Sequence, residues 1–416
     1  MAAVAGVRGT GDWGTDERPK NFREYILWRN PNGGLPILGL MGKTGKETTD
    51  DPEFSWWDEP VDLIRLQANG AHASGDTLIN VDSADPSISA PGNLWGVATH
   101  LTPGDVLMVE PAADAASFTP EYIEVTQVLS ETQFTARRGV AGSTAGSISD
   151  NAFLLKIGTT FSEGTSEPKA TSRNPIKYSN FTQIFKTTYD VTGTASETKA
   201  RTGDILKNER KRRALDHGKD QELAFLFGRK SEVTGENGKP KRTFDGIRRF
   251  IPTVNTTVFT AAVTFTGATN NFLDSVYKVF DYETEAGDER MAICGNAALN
   301  ELNKIVAKDT NSEIQFGEVI KMYGMNLREL ILPQGRLYLR THPLLNRHPT
   351  LYGKSMWLLD FTALKLRPMK GRDTKFQDNI QQKGEDSVRG QWIGELGLEV
   401  RYGGLTCGYL GNISAT

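Results

Sequence analysis

Two adjoining stretches decide the fold of this chain: NFTQIFKTTYDVTGT at residues 180–194 and DILKNERKRRALDHGKDQELAFLFG at residues 204–228. The first is largely β-branched or aromatic and is closed by Gly193, so it reads as an extended strand. The second lacks proline and reads as one helix. Thr202 or Asp204 can cap its start by accepting a free N–H of the first turn. Gly228 is expected to close it in the left-handed conformation, with Arg229 and Lys230 suiting the negative end of the helix dipole. At ~1.5 Å per residue the rod is roughly 35 Å long. Its middle, residues 207–220, is almost entirely charged, with Glu209 one turn before Arg213. Apolar residues gather at the ends: Ile205 and Leu206 at one, Leu223, Ala224, Phe225 and Leu226 at the other. The pattern predicts a rod anchored at its ends, lying across a surface with much of its length, His217 included, in water.

A strand feeding a long charged helix resembles the major capsid proteins of tailed bacteriophages, which share the Hong Kong 97-type shell fold. The pieces Asn-Phe-Thr-Gln-Ile-Phe at 180–185 and Val-Thr-Gly-Thr at 191–194 are similar to one branch of that family. Toward the C-terminus, GRLYLRTHPLL at 335–345 and Gly-Leu-Glu-Val at 397–400 resemble the family's axial domain and its return to the peripheral domain. The resemblance says little about residues 60–165. It implies an α+β fold with 1–54 as an N-terminal arm and 166–203 as an extended loop; residues 55–165 are read, from their own strand and turn pattern, as an inserted β-domain. Residues 204–228 become the spine helix, 229–270 a peripheral domain, 271–385 an axial domain, and 386–416 a return to the peripheral domain.

Composition bounds the classes. The 416 residues suffice for two or three domains. At 38% hydrophobic and 24% charged the chain is ordinary for a globular protein, with no apolar run long enough for a membrane span. The 42 glycines point to many turns. A net charge of −3 gives no overall basic character for holding nucleic acid by counterion release. Cys294 and Cys407, far apart, argue against a disulfide scaffold and suit a reducing compartment.

Residues 1–54 are broken by glycine and proline, with only 21–28 able to make a short helix, and they gain too little burial to order alone. Trp13, Phe22, Tyr25 and Trp28 favour an arm lying on a neighbouring subunit. The apolar run 35–41 leads into Gly42-Lys43-Thr44, which mimics the end of a phosphate-binding loop. The full motif needs glycine at Ile37, and no helix is expected after Thr44. Short strand-like runs at 77–81, 106–110, 122–128, 133–137 and 152–157, separated by turn residues, predict a small sandwich or barrel. Gly75-Asp76-Thr77-Leu78-Ile79 and Gly104-Asp105-Val106-Leu107-Met108 look alike without amounting to a repeat, and 137–142 reads as a turn with a solvated Arg137–Arg138 pair. Phe272, Leu273, Val276, Tyr277 and Phe280 predict an amphipathic helix over 271–285. A buried strand at 291–295 and a helix over 296–307, capped by Asn296, follow. Further strands are expected at 317–323, 335–339, 355–360, 391–400 and 405–410.

No constellation carries chemistry. His342 and His348, flanked by prolines, cannot share a helix face as metal ligands, and neither cysteine has a partner at ligand spacing. No nucleophile elbow is present. No catalytic residue, cofactor or metal is assigned, and the chain is read as a structural protein rather than an enzyme. The resemblance implies a homo-oligomer, built of pentamers and hexamers, that closes into an icosahedral head around packaged double-stranded DNA without sequence-specific binding or membrane contact. A portal and a separate scaffolding protein are the expected partners, because residues 1–54 cannot form a helical scaffolding segment, and maturation without N-terminal cleavage is expected with them. The shell belongs to the virion and is assembled in the host cytoplasm. Candidate inter-subunit contacts are Trp13, Tyr25, Trp28, Phe181, Ile184, Phe185 and Tyr189. The alternatives are an encapsulin-like compartment and, from another class, an enzyme with a β-accessory domain.

Overall fold

The computed structural model describes residues 35–44, 46–59, 64–82, 97–111, 119–168, 175–200, 202–265, 270–282, 287–308, 316–322, 325–348 and 350–415. The expected arm, short helix at 21–28 and aromatics Trp13, Phe22, Tyr25 and Trp28 lie outside them.

The first decisive stretch splits at Thr182, whose N–H is taken by the carbonyl of Pro52. Strand Ile176–Phe181 pairs antiparallel with Glu53–Asp58, forming a two-stranded ribbon. Strand Gln183–Thr192 instead pairs with Ser387–Val400, from Gln183 opposite Leu396 to Thr192 opposite Ser387. Strands Leu364–Pro368 and Lys375–Gln377 complete this four-stranded sheet. Both fall within 271–385, expected to be axial, and both went unread in the sequence. The 14 residues of Ser387–Val400 thus form the shared spine of one sheet.

The helix Ile205–Phe227 lies on that sheet. Asp204 caps it, accepting from Lys207 N–H at 3.1 Å. Its partners differ from those expected: Glu209 pairs with Arg212 rather than Arg213, and Arg213 turns to Asp216 at 3.6 Å. Only its C-terminal half is anchored in the core. Phe225 and Leu226 are buried, whereas Leu223 is 41% exposed because it points off the packed face. His217 is buried too, beside Gln221 and Glu222, so the rod has a polar buried face. Gly228 does not adopt the left-handed conformation; its φ is −53°. Glycine is needed there for close approach: a Cβ would sit 2.6 Å from the carbonyl oxygens of both Ala224 and Phe244.

The second sheet has seven strands, in the order Thr256–Val258, Gly408–Gly411, Met356–Leu359, Glu289–Cys294, Gly335–Thr341, Met325–Leu332, Phe316–Met322. Glu289–Cys294 runs parallel to Gly335–Thr341, and helix Asn296–Lys308 lies between them in the chain. Met325–Leu332 was not read from the sequence. Thr256–Val258 and Gly408–Gly411 join this sheet across the expected borders at 270 and 386. The helix expected over 271–285 shrinks to Leu273–Val276 followed by one 3-10 turn, Tyr277–Phe280. The buried Arg290 accounts for the change. Its guanidinium donates to the carbonyls of Val279 at 3.2 Å and Tyr282 at 3.2 Å, drawing the chain into a turn. One apolar cluster, around Phe225, Trp357 and Leu398, is shared by the two sheets, and the other, around Phe272, Leu302 and Leu358, is built on alternate residues of the seven-stranded sheet.

Between the two strands of the ribbon the chain builds a six-stranded antiparallel sheet, in the order Arg65–Gln67, Phe153–Thr159, Asp105–Val109, Tyr122–Val128, Gln133–Arg137, Leu78–Asn80. Backbone bonds from Asn69 to Asn80 and from Asp82 to Gln67 join the outer strands, so the sheet closes into a barrel. Leu66, Ile79, Leu107, Ile123, Phe134 and Leu154 fill it, in a cluster separate from the other two. The look-alike pieces build the same turn: Asp76 accepts from Ala73 N–H and Asp105 from Thr102 N–H, both at 2.7 Å. Residues 53–58 pair with 176–181 across the expected border at residue 55.

Candidate assembly surface

The four described candidates separate by register. Phe185 is buried in the core against Phe244 and His217. Tyr189 is buried against Phe376, ring on ring at 6.2 Å, with its hydroxyl donating to Asp378 at 3.3 Å. Alternation along Gln183–Thr192 turns both side chains toward the chain's own interior, so neither offers a surface to a neighbour. Ile184, of opposite parity, is 49% exposed. Phe181 is half-buried beneath Lys230, whose Nζ lies 4.5 Å from the ring centroid. Trp13, Tyr25 and Trp28 fall outside the described residues.

The ribbon supplies a residue the sequence reading missed. In Glu53–Asp58 the inward Trp56 stacks between Phe54 and Tyr178 and meets Phe250. Its neighbour Trp57 points the other way and is 64% exposed, opposite Lys177. The signal was the period-2 run Glu-Phe-Ser-Trp-Trp-Asp, which places one tryptophan on each face.

A buried carboxylate, Glu222, holds three distant segments together. Residues 36–44 form a helix, Pro36–Thr44, where the sequence suggested only an apolar run. Glu222 Oε1 accepts from Ile37 N–H at 2.8 Å and Oε2 from Leu38 N–H at 2.7 Å. This is an N-terminal cap delivered from another helix, satisfying donors the first turn cannot satisfy itself. His342 Nδ1 accepts from Leu344 N–H, leaving Nε2 to donate to Glu222 Oε1 at 2.9 Å. Burial lowers the Arg340 guanidinium below its ordinary value, opposed by the charge of Glu222. One turn back, His217 Nδ1 faces Thr187 Oγ1 at 3.1 Å and Nε2 faces the amide nitrogen of Gln221 at 3.0 Å. Burial pushes the His217 imidazole below its usual value, against the opposing pull of Asp220. In sequence these residues look like surface positions; their burial is decided by what packs on them.

Asn180 ties the other junction. Its amide donates to the carbonyls of Asp245 at 3.0 Å and Leu398 at 2.7 Å, and its oxygen accepts from Asp245 N–H at 2.8 Å. The first half of the long helix is fixed by Arg210, which lies 4.1 Å from the Phe376 centroid and pairs with Asp378. Among the described residues no group of three or more His, Cys, Asp or Glu side chains could hold a metal. Burial pushes the Cys294 thiol to about 12 and the Cys407 thiol to about 11, so neither is a ready nucleophile.

This arrangement is one of surfaces and junctions, and the comparisons agree. The family model for the SU10 major capsid protein matches residues 6–414. The chain belongs to the SU10 major capsid protein family. The major capsid protein of Pseudomonas phage PaMx41 is 27% identical over 399 residues, covering 93% of this chain and 87% of that protein. Among solved structures, the capsid of a native GTA particle superposes with a TM-score of 0.46 at 9% identity, covering 99% of this chain and 100% of that one. The SrpI encapsulin of Synechococcus elongatus PCC 7942 gives 0.40 at 9% identity, covering 58% and 77%. This SU10-type major capsid protein is therefore a structural protein of the phage head, with the α+β Hong Kong 97-type fold, and it forms an icosahedral shell. Among its described residues no helix is long and apolar enough to cross a membrane.

Proposed function

We propose that this capsid protein assembles as pentamers and hexamers, with contacts made by the ribbon and the edge of the four-stranded sheet. The observation that carries this reading is the outward Trp57, supported by the exposed Ile184. Both are large apolar side chains left in water by the chain's own folding. Many moderate contacts of this kind, repeated over a shell, sum to a stable container. In the same reading, residues 1–54 serve as an arm clasping a neighbour through Trp13, Tyr25 and Trp28. The barrel is an insertion carried by the extended loop, residues 204–228 act as the spine, and the two sheets correspond to peripheral and axial units. The shell assembles in the host cytoplasm with a portal and a separate scaffolding protein, and holds double-stranded DNA without reading its sequence.

Electron microscopy of the chain expressed alone tests the proposal. Closed shells, tubes or sheets are expected, and the Trp57→Ala/Ile184→Ala pair should form fewer of them at equal concentration. Undiminished assembly by that variant would remove the ribbon from the contact.

A further inference from the structure

Charge is divided unevenly along this chain. Residues 64–168 hold 12 acidic and four basic side chains, a net −8, whereas residues 169–416 hold 28 acidic and 37 basic, a net +9. All four barrel cations are committed inside the barrel, in the pairs Arg65–Glu110, Arg137–Glu124, Arg138–Glu121 and Lys156–Asp105. That leaves Asp76, Glu131, Asp150, Glu163 and Glu167 exposed, with no ion pair among the described residues. The barrel's apolar core is separate from those of the body, and among the described residues all of its ion pairs are internal. Among the described residues, its acidic surface is therefore not neutralised by ion pairs from the rest of the chain.

The complementary charge lies just after the long helix. The cations of the helix itself are largely used: Arg210 by Asp378, Arg212 by Glu209, Arg213 and Lys219 by Asp216. The hairpin Ser231–Thr234 with Pro240–Thr243 is different. Residues 229–249 hold seven basic and three acidic side chains. Arg229, Lys239 and Lys241 are exposed, with no ion pair among the described residues, beside the exposed Val233.

We propose that the acidic barrel of one subunit docks on the basic hairpin of a second copy of this chain. The two surfaces are opposite in sign and different in identity, so the same contact can be repeated head-to-tail from one subunit to the next around a ring. Exposed charges are weak singly and screened by salt, which makes the contact selective, reversible and sensitive to ionic strength.

Two measurements test it on shells of the full-length chain. In shells grown from equal parts of ¹⁵N- and ¹⁴N-labelled chain, a zero-length carboxyl–amine cross-linker should give mixed-isotope peptides joining Asp76, Asp150, Glu163 or Glu167 to Lys239 or Lys241. Cross-links of those acids only within one isotope set, only to lysines elsewhere, or not at all would overturn the proposal. The variants Glu163→Lys/Glu167→Lys and Lys239→Glu/Lys241→Glu should each raise the concentration needed for assembly by about tenfold, with circular dichroism unchanged. Combining them should restore assembly. Failure of the combined variant to recover while still folded, or a hairpin reversal that leaves assembly intact and impairs only DNA filling, would each refute the contact, the latter by assigning the hairpin to the DNA backbone.

Discussion

The barrel and the helical body both bury ionised groups, but they hold them over very different spans of chain. In the barrel the buried Arg138 meets Glu121, 17 residues away, and donates to the carbonyls of Ala73, Asp76 and Gly146. In the body, Glu222 reaches Ile37 and Leu38, 185 and 184 residues back, and His342, 120 residues on. The barrel's bonds stay within the barrel, so a perturbation there is expected to stay local. A body stitched by distant residues holds only when the whole chain is in place, and it answers to perturbation at more points.

Glu222→Ala should have the largest effect. It strands one buried and one part-buried N–H group and a buried imidazole, a loss of about 3–5 kcal/mol. Denaturant unfolding of unassembled subunits, with hydrogen exchange at Ile37 and Leu38, measures it. A loss below about 1 kcal/mol would show that the cap is not what holds helix Pro36–Thr44.

Arg138→Ala is the barrel counterpart, expected at about 2–4 kcal/mol. Glu121 would keep its bonds from Gly139 and Gly146 N–H. The loss should appear in the barrel alone, with body exchange rates unchanged. A matching loss in the body would break the comparison.

Acid should separate the two regions in order. His217 is held below its ordinary 6.5 by burial, so between that value and its folded one the unfolded chain binds more protons, and the body loses stability as pH falls below 6.5. Glu121 is held below its ordinary 4.5: burial opposes this, but the bonds from Arg138 and the Gly146 and Gly139 amides outweigh it. Its contribution is full above 4.5 and lost only below. The body should therefore weaken first, by at most about 1.4 kcal/mol per pH unit from this one histidine. His217→Gln should flatten the slope just below pH 6.5, and an unchanged slope would remove His217 as its source.

The smallest effect is expected at Leu223→Ala, under about 1 kcal/mol, against about 3–5 kcal/mol for Phe225→Ala two residues on. Equal losses would mean that Leu223 is covered in the unassembled subunit.

The long helix, its Asp204 cap, most barrel strands and the phage-capsid family were legible in the sequence, because capping, alternation and turn chemistry act between residues a few positions apart. Arg65–Gln67, Leu364–Pro368 and Lys375–Gln377 were not, being short strands fixed only by their partners. Nor was the buried polar face of the helix. His217, Gln221 and Glu222 carry a surface signature, and a polar side chain is buried only where distant donors and acceptors meet it. The candidate contacts follow the same rule. Sequence placed Phe185 and Tyr189 on a strand beside Ile184, but which parity faced the core was set by the pairing of Gln183–Thr192 with Ser387–Val400. Local sequence determined which elements form; which of their faces meet solvent, and so what the shell can use, was decided by contacts between distant residues, as in the pairing of Gln183 with Leu396, which no local pattern encodes.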